Sequence, residues 1–306
     1  MDNQLKDDCD ELRKILSTKG DSLIQFVLSK NKSQRQDLRA AYKVCFGIDL
    51  LDDIDKHLSG NFKHLMIALF QRPTEFDAEC LYKAMKGIGT DEDTLIEIIC
   101  TRSNETLKRI KEEFKNKYPQ YSLEKWISSE TSGTFRKILI SILQCLRKEN
   151  TDYDENECAK IAKDLYEGGE KRLGTDEALF NKIFAISSPA EIFCINQKYS
   201  EISTNTLKRA IDKEYSRDIK KALLTILDGI LNPAEYFARR VNQAVKGLGT
   251  NDKMLIRIIV SREGIDMEEM KKIYKNTFQK DMAEDIRSDT SGDYRKLLLG
   301  IVNQNF

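Results

Sequence analysis

The chain has 306 residues, enough for two ordinary domains or for several copies of a smaller unit. Its 50 Lys and Arg balance its 50 Asp and Glu, so no overall field attracts nucleic acid or an anionic surface, and an acidic partner needs a local binding site. Only 4 Pro and 15 Gly together with 33% charged residues predict an all-α fold built from amphipathic helices.

The start of the chain and its apolar runs bear on export and on membrane spanning. The first residues are acidic where a secretory signal needs basic and then apolar residues. Only a handful of residues precede the first helical pattern, so we expect no long N-terminal tail. Apolar runs such as 297–302 are far shorter than the roughly 20 residues that cross a bilayer. We therefore expect a cytoplasmic protein whose membrane contact is peripheral.

The cysteines and histidines limit the kinds of site that the chain can build. Seven scattered cysteines, an odd number, argue against a complete disulfide framework and favour a reducing compartment. The two histidines, His57 and His64, and the absence of a CxxC pair leave a zinc or iron–sulfur site almost without ligands.

Two short motifs recur along the chain and divide it into similar modules. A Ser-Gly-x-aromatic-basic motif begins at residues 59, 132 and 291, and a weaker version, Ser-Arg-Asp-Ile-Lys, begins at 216. Gly-Thr-Asp-Glu begins at 89 and 174, and Gly-Thr-Asn-Asp begins at 249. Both motifs return after about 73 to 85 residues. The sequence therefore predicts four homologous modules, which span 1–72, 73–149, 150–231 and 232–306.

The second module shows the order of helices within one module. Its first apolar stripe lies within 76–84 and is broken by Gly87 and Gly89. Thr90 with Asp93 then predicts a capping box for a second helix.

Two serines and a long apolar stripe predict the remaining helices of this module. Ser103 and Ser122 are expected N-caps of a third and a fourth helix. The fifth helix has a broad core-facing stripe. The stripe consists of Phe135, Ile138, Leu139, Ile142, Leu143 and Leu146. Each module is thus predicted to contain five helices, A to E.

The A–B and D–E connections have the composition of a calcium site. The A–B loops at 85–90 and 245–250 carry two glycines, which let the backbone turn tightly with its carbonyl oxygens outward. Ca²⁺ accepts 6 to 8 such hard oxygens, at roughly 2.3–2.6 Å, but these loops supply no negative charge. The D–E segments at 129–133 and 288–292 offer an acid before a Thr-Ser-Gly turn. If both loops lie at one end of a bundle, three carbonyls and a bidentate carboxylate can bind calcium and leave positions for water or a lipid phosphate.

Ordinary helix capping is the alternative explanation for either loop alone, because glycine often follows a helix and Thr-Asp often starts one. Capping does not readily explain why both loops recur together at one separation. The joint recurrence favours a metal site.

The segments MKGIGTDEDTLIEII at 85–99 and VKGLGTNDKMLIRII at 245–259, with SETSG and SDTSG downstream, resemble the annexin family, which includes the annexin-like alpha-giardins. The resemblance covers nearly the whole chain. It implies a curved disc of four five-helix modules that binds Ca²⁺ on its convex face, where the ion bridges loop carbonyls to the phosphates of acidic phospholipids.

The resemblance also implies calcium ligands, three carbonyls and one carboxylate in each of three modules. The matched positions are Met85, Gly87, Gly89 and Glu130 in module two, Gly169, Arg172, Gly174 and Glu214 in module three, and Val245, Gly247, Gly249 and Asp289 in module four. Module three departs from the pattern because Arg217 replaces the turn glycine. Module one has Ile15 and Ser17 at the glycine positions and His57 at the acid position, so no such site is expected there. His57 would contact a phosphate or be a solvated surface residue.

Three further side chains allow two interpretations each. Trp126 either inserts into lipid or packs helix D against Leu123, and the spacing favours packing. Arg102 and Arg262 follow helix B in equivalent positions, where they contact a phosphate or interact with the helix C-terminal dipole.

Three functions remain open at this point. The first is calcium-dependent, reversible binding to acidic phospholipid membranes by several weak sites, in a monomer that can assemble on the membrane. The second is a structural scaffold that binds cytoskeletal or other protein partners, as is known for some alpha-giardins. The third, an enzyme acting on phosphate esters, lacks a P-loop and any Ser/His/Asp or Cys/His constellation, so we expect no enzyme.

Overall fold

The computed structural model describes residues 3–247 and 249–304. Within these ranges all regular structure is helical, in twenty helices, which confirms the predicted all-α class. Five helices fall within each of the four predicted modules, whose exact bounds remain a prediction. None of the helices in the described ranges combines the length and the apolar character that crossing a bilayer requires.

The helices are numbered in chain order. Module one contains α1 Asn3–Thr18, α2 Asp21–Leu28, α3 Lys32–Phe46, α4 Leu50–His57 and α5 Gly60–Phe70. Module two contains α6 Pro73–Met85, α7 Glu92–Thr101, α8 Asn104–Lys117, α9 Leu123–Glu130 and α10 Gly133–Leu143. Module three contains α11 Glu155–Gly168, α12 Glu177–Ile186, α13 Pro189–Ile202, α14 Leu207–Glu214 and α15 Arg217–Leu231. Module four contains α16 Pro233–Val245, α17 Asp252–Arg262, α18 Met267–Phe278, α19 Met282–Asp289 and α20 Gly292–Asn303.

One compact unit joins the described residues up to Phe76 to those from Phe237 onward. Helix α5 packs against α17, and α2 packs against α20. In its interior the fully buried Arg35 forms an ion pair with the buried Glu263. Arg35 also donates a hydrogen bond of 2.7 Å to the Lys30 carbonyl. Because an unpaired buried charge is costly, each partner stabilises the buried state of the other. The sequence did not predict this pair, since its members lie far apart along the chain.

The second compact unit spans Asp77–Tyr236, in which α7 packs against α15 and α11 packs against α13. Five of the six predicted apolar positions of helix E are buried, but Leu146 is 71% exposed. The prediction for Leu146 was wrong because α10 ends at Leu143 and Cys145 adopts a left-handed backbone with φ 55°.

The predicted N-caps of the second module are partly right. Ser103 and Ser122 cap α8 and α9 by accepting hydrogen bonds from backbone N–H groups, as predicted. The predicted capping box of Thr90 was wrong, since Asp91 is the N-cap of α7 and accepts from the Thr94 N–H at 3.0 Å. The hydroxyl of Thr90 is thereby left for a different partner.

Candidate metal sites

The A–B turn of module two leaves its carbonyls available. Helix α6 ends at Met85, and a hydrogen bond from Asp91 N–H to the Ala84 carbonyl, 2.8 Å, closes the turn. Gly87 and Gly89 have φ of +123° and +83°, a region that other residues rarely adopt. Among the described residues, no backbone N–H outside the helices donates to the carbonyls of Met85, Gly87 or Gly89. These three oxygens therefore remain free to bind a ligand.

The acid of module two lies beside this turn. Glu130 is the last residue of α9, and its carboxylate accepts a hydrogen bond of 2.8 Å from the Thr90 hydroxyl. Arg136 donates from Nε to the Thr131 carbonyl at 2.8 Å and holds the following turn, in which Gly133 has φ 57°. Two segments forty residues apart in the chain thus meet at one end of the module.

Module four repeats this arrangement. Helix α16 ends at Val245, and Gly247 and Gly249 have φ of +129° and +89°. The Thr250 hydroxyl lies 2.5 Å from the Asp289 carboxylate and 2.7 Å from the Asp289 carbonyl. Leu248, which lies between these two glycines in the sequence, is outside the described residues.

The acidic side of module four also matches that of module two. Arg295 donates from Nε to the Thr290 carbonyl at 2.6 Å, as Arg136 does to Thr131, and Gly292 has φ 61°. The same clamp therefore holds the turn that follows each acid.

Module three brings its acid to the loop, but the loop itself differs. The Thr175 hydroxyl donates to Glu214 at 2.6 Å. One extra residue lies in this loop, because its closing bond runs from Asp176 N–H to the Gly168 carbonyl, 2.7 Å. The Gly169 carbonyl, one of the predicted ligands, accepts from the Arg172 N–H at 3.0 Å. This predicted donor is therefore already hydrogen-bonded within the chain, whereas its counterpart Met85 is not.

The third loop is also tied to the end of α13. Glu170 accepts hydrogen bonds from Tyr199 at 2.9 Å, from Ser203 at 2.6 Å and from Asn205. Burial alone would raise the pKa of Glu170, but these three hydrogen bonds bring the pKa below its usual value. At the D–E turn, Arg217 adopts φ 53° where modules two and four have glycine. The third module thus has the required groups but a more constrained backbone.

Module one has no loop of this kind. Helix α1 continues to Thr18, so Ile15 and Ser17 lie inside a helix, as expected from the missing glycines. His57 was predicted to be solvated or to contact a phosphate. In the structure it is half-buried, not fully solvated, and its Nδ1 lies 2.9 Å from the Asp53 carbonyl.

The threonines that join each loop to its acid are the residues that sequence reasoning missed. Thr90, Thr175 and Thr250 all follow the second loop glycine, and each bonds the downstream acid. Their recurrence was visible in the sequence, but the capping interpretation accounted for it. They hold each carboxylate next to its turn.

The donor chemistry of these loops fits a hard cation. Each site offers neutral carbonyl oxygens and one carboxylate, a set that Ca²⁺ accepts. The described part of the chain contains no cluster of three or more His, Cys, Asp or Glu that could hold a metal. A single carboxylate supplemented by backbone oxygens would not form such a cluster.

Three other predicted residues are placed by contacts within the protein. Trp126 packs on Tyr121 with ring centroids 4.3 Å apart, in agreement with the packing interpretation. Arg102 forms a bidentate pair with Asp77 at 2.7 and 3.0 Å, and Arg262 pairs with Asp266 at 2.9 Å. Neither the phosphate nor the dipole interpretation anticipated these ion pairs.

Comparison with known proteins identifies the fold. Annexin structures share it: annexin III matches 99% of this chain and 94% of its own, with a TM-score of 0.93 and 36% identity. Calcium-bound annexin (Sm)1 matches with a TM-score of 0.87 and 25% identity over 99% of this chain and 91% of its own. Alpha-14 giardin, at 18% identity and a TM-score of 0.81 over 96% and 98% of the two chains, shows the fold alone.

Sequence comparison gives the same answer. The annexin family model matches four segments, at residues 7–69, 76–142, 160–226 and 236–301. Human annexin A7 is 40% identical over 300 residues, which are 97% of this chain but only 61% of that protein. Mouse annexin A13 is 41% identical over 282 residues, 92% of this chain and 89% of its own. Taken with the four repeated modules, these matches place the chain in the annexin family.

Proposed function

We propose that this annexin binds Ca²⁺ in the loops of modules two and four, and more weakly in module three, and thereby binds acidic phospholipid membranes reversibly. Calcium-dependent phospholipid binding is a property of the annexin family. The observation that carries the proposal is the hydrogen bond that joins a glycine turn to a distant acid, from Thr90 to Glu130 and from Thr250 to Asp289.

The proposed ligands in each site are backbone carbonyls and one side-chain carboxylate. The carbonyls of Met85, Gly87 and Gly89 would face the cation, with Glu130 supplying the negative charge. Bound Ca²⁺ supplies a local positive charge for lipid phosphates on a chain of zero net charge. In module four the same roles fall to the loop 245–249 and Asp289. Two or more weak sites on one protein bind a surface far more tightly than either alone.

Module three is proposed as the weaker site. Its ligands would be Gly169, Arg172, Gly174 and Glu214, but the Gly169 carbonyl must first give up its bond from the Arg172 N–H. Breaking one backbone hydrogen bond costs about 1 kcal/mol, which corresponds to a several-fold lower affinity.

Apolar loop tips support a lipid partner. Ile88 is fully exposed between the two glycines of module two, and Leu173 is fully exposed at the matching tip of module three. An exposed aliphatic side chain gains about 1.5–3 kcal/mol when it leaves water. A bilayer surface held against these tips by calcium would provide that gain.

Pelleting with phosphatidylserine liposomes tests the proposal. Glu130→Gln combined with Asp289→Asn should abolish calcium-dependent pelleting, because it removes the carboxylate of both principal sites. Glu112→Gln combined with Glu284→Gln is the matched control, since it removes two exposed acids of α8 and α19. Pelleting of the first variant at wild-type calcium concentrations would refute the site assignment.

The same assay separates the proposal from its alternative. We place the protein at the cytoplasmic face of membranes, as a monomer before it binds, and assign it no enzymatic activity. A structural scaffold would instead co-sediment with cytoskeletal filaments in chelator and would leave liposomes unbound. That outcome would replace the membrane function.

A further inference from the structure

Two cysteines of module one form a contact that the proposed function does not use. Cys9 on α1 is fully buried and Cys45 on α3 is half-buried, and both are free thiols. The two helices pack together, and the Cys9 and Cys45 thiols are near enough to interact with each other. The Cys9 sulfur also lies 4.0 Å from the Leu38 carbonyl, two turns before Cys45 on α3. Both sulfurs therefore lie at the interface between α1 and α3.

An open groove runs over the same pair of helices. The groove has a volume of 560 Å³ and is lined by Asp8 and Val44, the chain neighbours of the two cysteines. Val44 is 79% exposed. Cys45 is itself half-buried, so it is the member of the pair that a small solute can reach. Burial, followed by the neighbouring Cys45, raises the pKa of Cys9 to about 12, so Cys9 stays a neutral thiol at physiological pH.

Module three contains a second thiol pair that serves as an internal comparison. Cys158 on α11 and Cys194 on α13 interact in the same way. Both residues are only 2% exposed. The two pairs share the A–C helix interface and differ in access from solvent.

We propose that Cys9 and Cys45 are a modification site at which hydrogen peroxide forms an intramodule disulfide. Hydrogen peroxide oxidises the Cys45 thiol to a sulfenic acid. This step forms an S–O bond, breaks the O–O bond and releases water. The Cys9 thiol then attacks the Cys45 sulfur, so the S–S bond forms as the S–O bond breaks. The Cys9 proton leaves with the hydroxide as a second water, and two thiols have lost two electrons to one peroxide.

The disulfide would tie α1 to α3 and close a loop of about 36 residues, which restricts the unfolded chain. In module two the corresponding helices, α6 and α8, are joined by an ion pair, in which Lys117 donates to Glu79 at 2.7 Å. Module one has no calcium loop, so the disulfide lies in a module outside those with the proposed membrane sites. Oxidation is expected to raise the Tm by about 5 °C and to leave calcium-dependent pelleting unchanged.

Peptide mapping of the native protein tests the site. The full chain is reduced, treated with one equivalent of hydrogen peroxide, alkylated and digested without reductant. We expect a peptide pair linked through Cys9 and Cys45, with Cys158 and Cys194 alkylated as free thiols. When the protein is unfolded in urea before oxidation, the preference for the first pair should disappear.

Two variants keep the result interpretable. Cys45→Ser should abolish both the linked peptide and the rise in Tm, whereas Cys80→Ser, which changes a half-buried cysteine of α6, should retain both. The proposal is overturned if Cys80 is oxidised while Cys9 and Cys45 remain thiols, or if Cys45 forms links between molecules instead. Because pelleting is measured separately, failure of this site leaves the membrane proposal standing.

Discussion

The A–B connections of modules one and two show how a small change of backbone removes a binding site. In module one, α1 continues through Ile15, whose carbonyl accepts a hydrogen bond of 2.9 Å from the Lys19 N–H. In module two, α6 stops at Met85, and Gly87, the counterpart of Ile15, has φ +123° and a carbonyl that receives no such bond. A carbonyl inside a helix is already satisfied, so only the interrupted helix offers oxygens to a cation.

The D–E connections differ in the same sense. Glu130 in module two reaches across to Thr90 of the glycine turn. At the matching place in module one, His57 bonds back to Asp53 of its own helix. The second module therefore joins two loops, whereas the first satisfies each segment locally.

Placing the module-one residues in the A–B loop of module two should have the largest effect on calcium binding. Gly87→Ile combined with Gly89→Ser forces side chains into positive φ, which costs about 2 kcal/mol or more and should weaken calcium binding about 30-fold. Calcium titration of Trp126 fluorescence with phosphatidylserine vesicles measures the effect, in an Asp289→Asn background that silences module four.

The control for this transplant is Gly47→Ala in the same background. Gly47 also has positive φ, 72°, but lies at the end of α3 in module one. If the control weakened calcium binding equally, the loss would reflect general destabilisation instead of the loop.

Removing the link between loop and acid should have a smaller effect. Thr90→Val keeps the shape of the side chain but deletes its hydrogen bond to Glu130, which is worth about 1 kcal/mol. We expect about five-fold weaker calcium binding in the same titration. Thr106→Val, on α8, is the control. Unchanged affinity of Thr90→Val would show that the hydroxyl does not position the carboxylate.

Exchanging the D–E turn residues of modules two and three should have a smaller effect, on the free energy of unfolding. Arg217 has φ 53°, so Arg217→Gly relieves left-handed strain and should raise the free energy of unfolding by about 0.7 kcal/mol. The reverse change, Gly133→Arg in module two, should lower it by a similar amount. Urea unfolding measures both, and a loss of stability in Arg217→Gly would contradict the strain argument.

The smallest effect is expected at the ion pair between Glu79 on α6 and Lys117 on α8. Burial opposes ionisation of Glu79, but hydrogen bonds from Lys117 and Lys83 lower its pKa to about 2. Because the folded pKa lies below the unfolded value near 4.3, the stabilisation is present above that pH and is lost as the pH falls toward 2. The lysines are partly exposed, so Glu79→Gln should cost only about 0.5 kcal/mol at pH 7.

A pH series of urea unfolding checks this last prediction. The difference between wild type and Glu79→Gln should shrink below pH 4 and vanish near pH 2. A difference that stays constant with pH would mean that Glu79 contributes through packing and not through its charge.

The sequence alone determined the local features of this protein. Apolar periodicity predicted the helices, Ser103 and Ser122 marked two helix starts, and paired glycines such as Gly87 and Gly89 marked the turns. These features depend on backbone preferences within a few residues, so they can be read without knowing the fold. The recurrence of two motifs added the four modules.

Only the tertiary structure decided which distant groups meet. It gave Thr90 the acid of another loop as its partner and buried Arg35 against Glu263. These outcomes depend on the direction in which each helix packs and on the space left at its ends. A one-residue difference in loop length or helix end redirects a side chain or a carbonyl, and no local pattern records that choice.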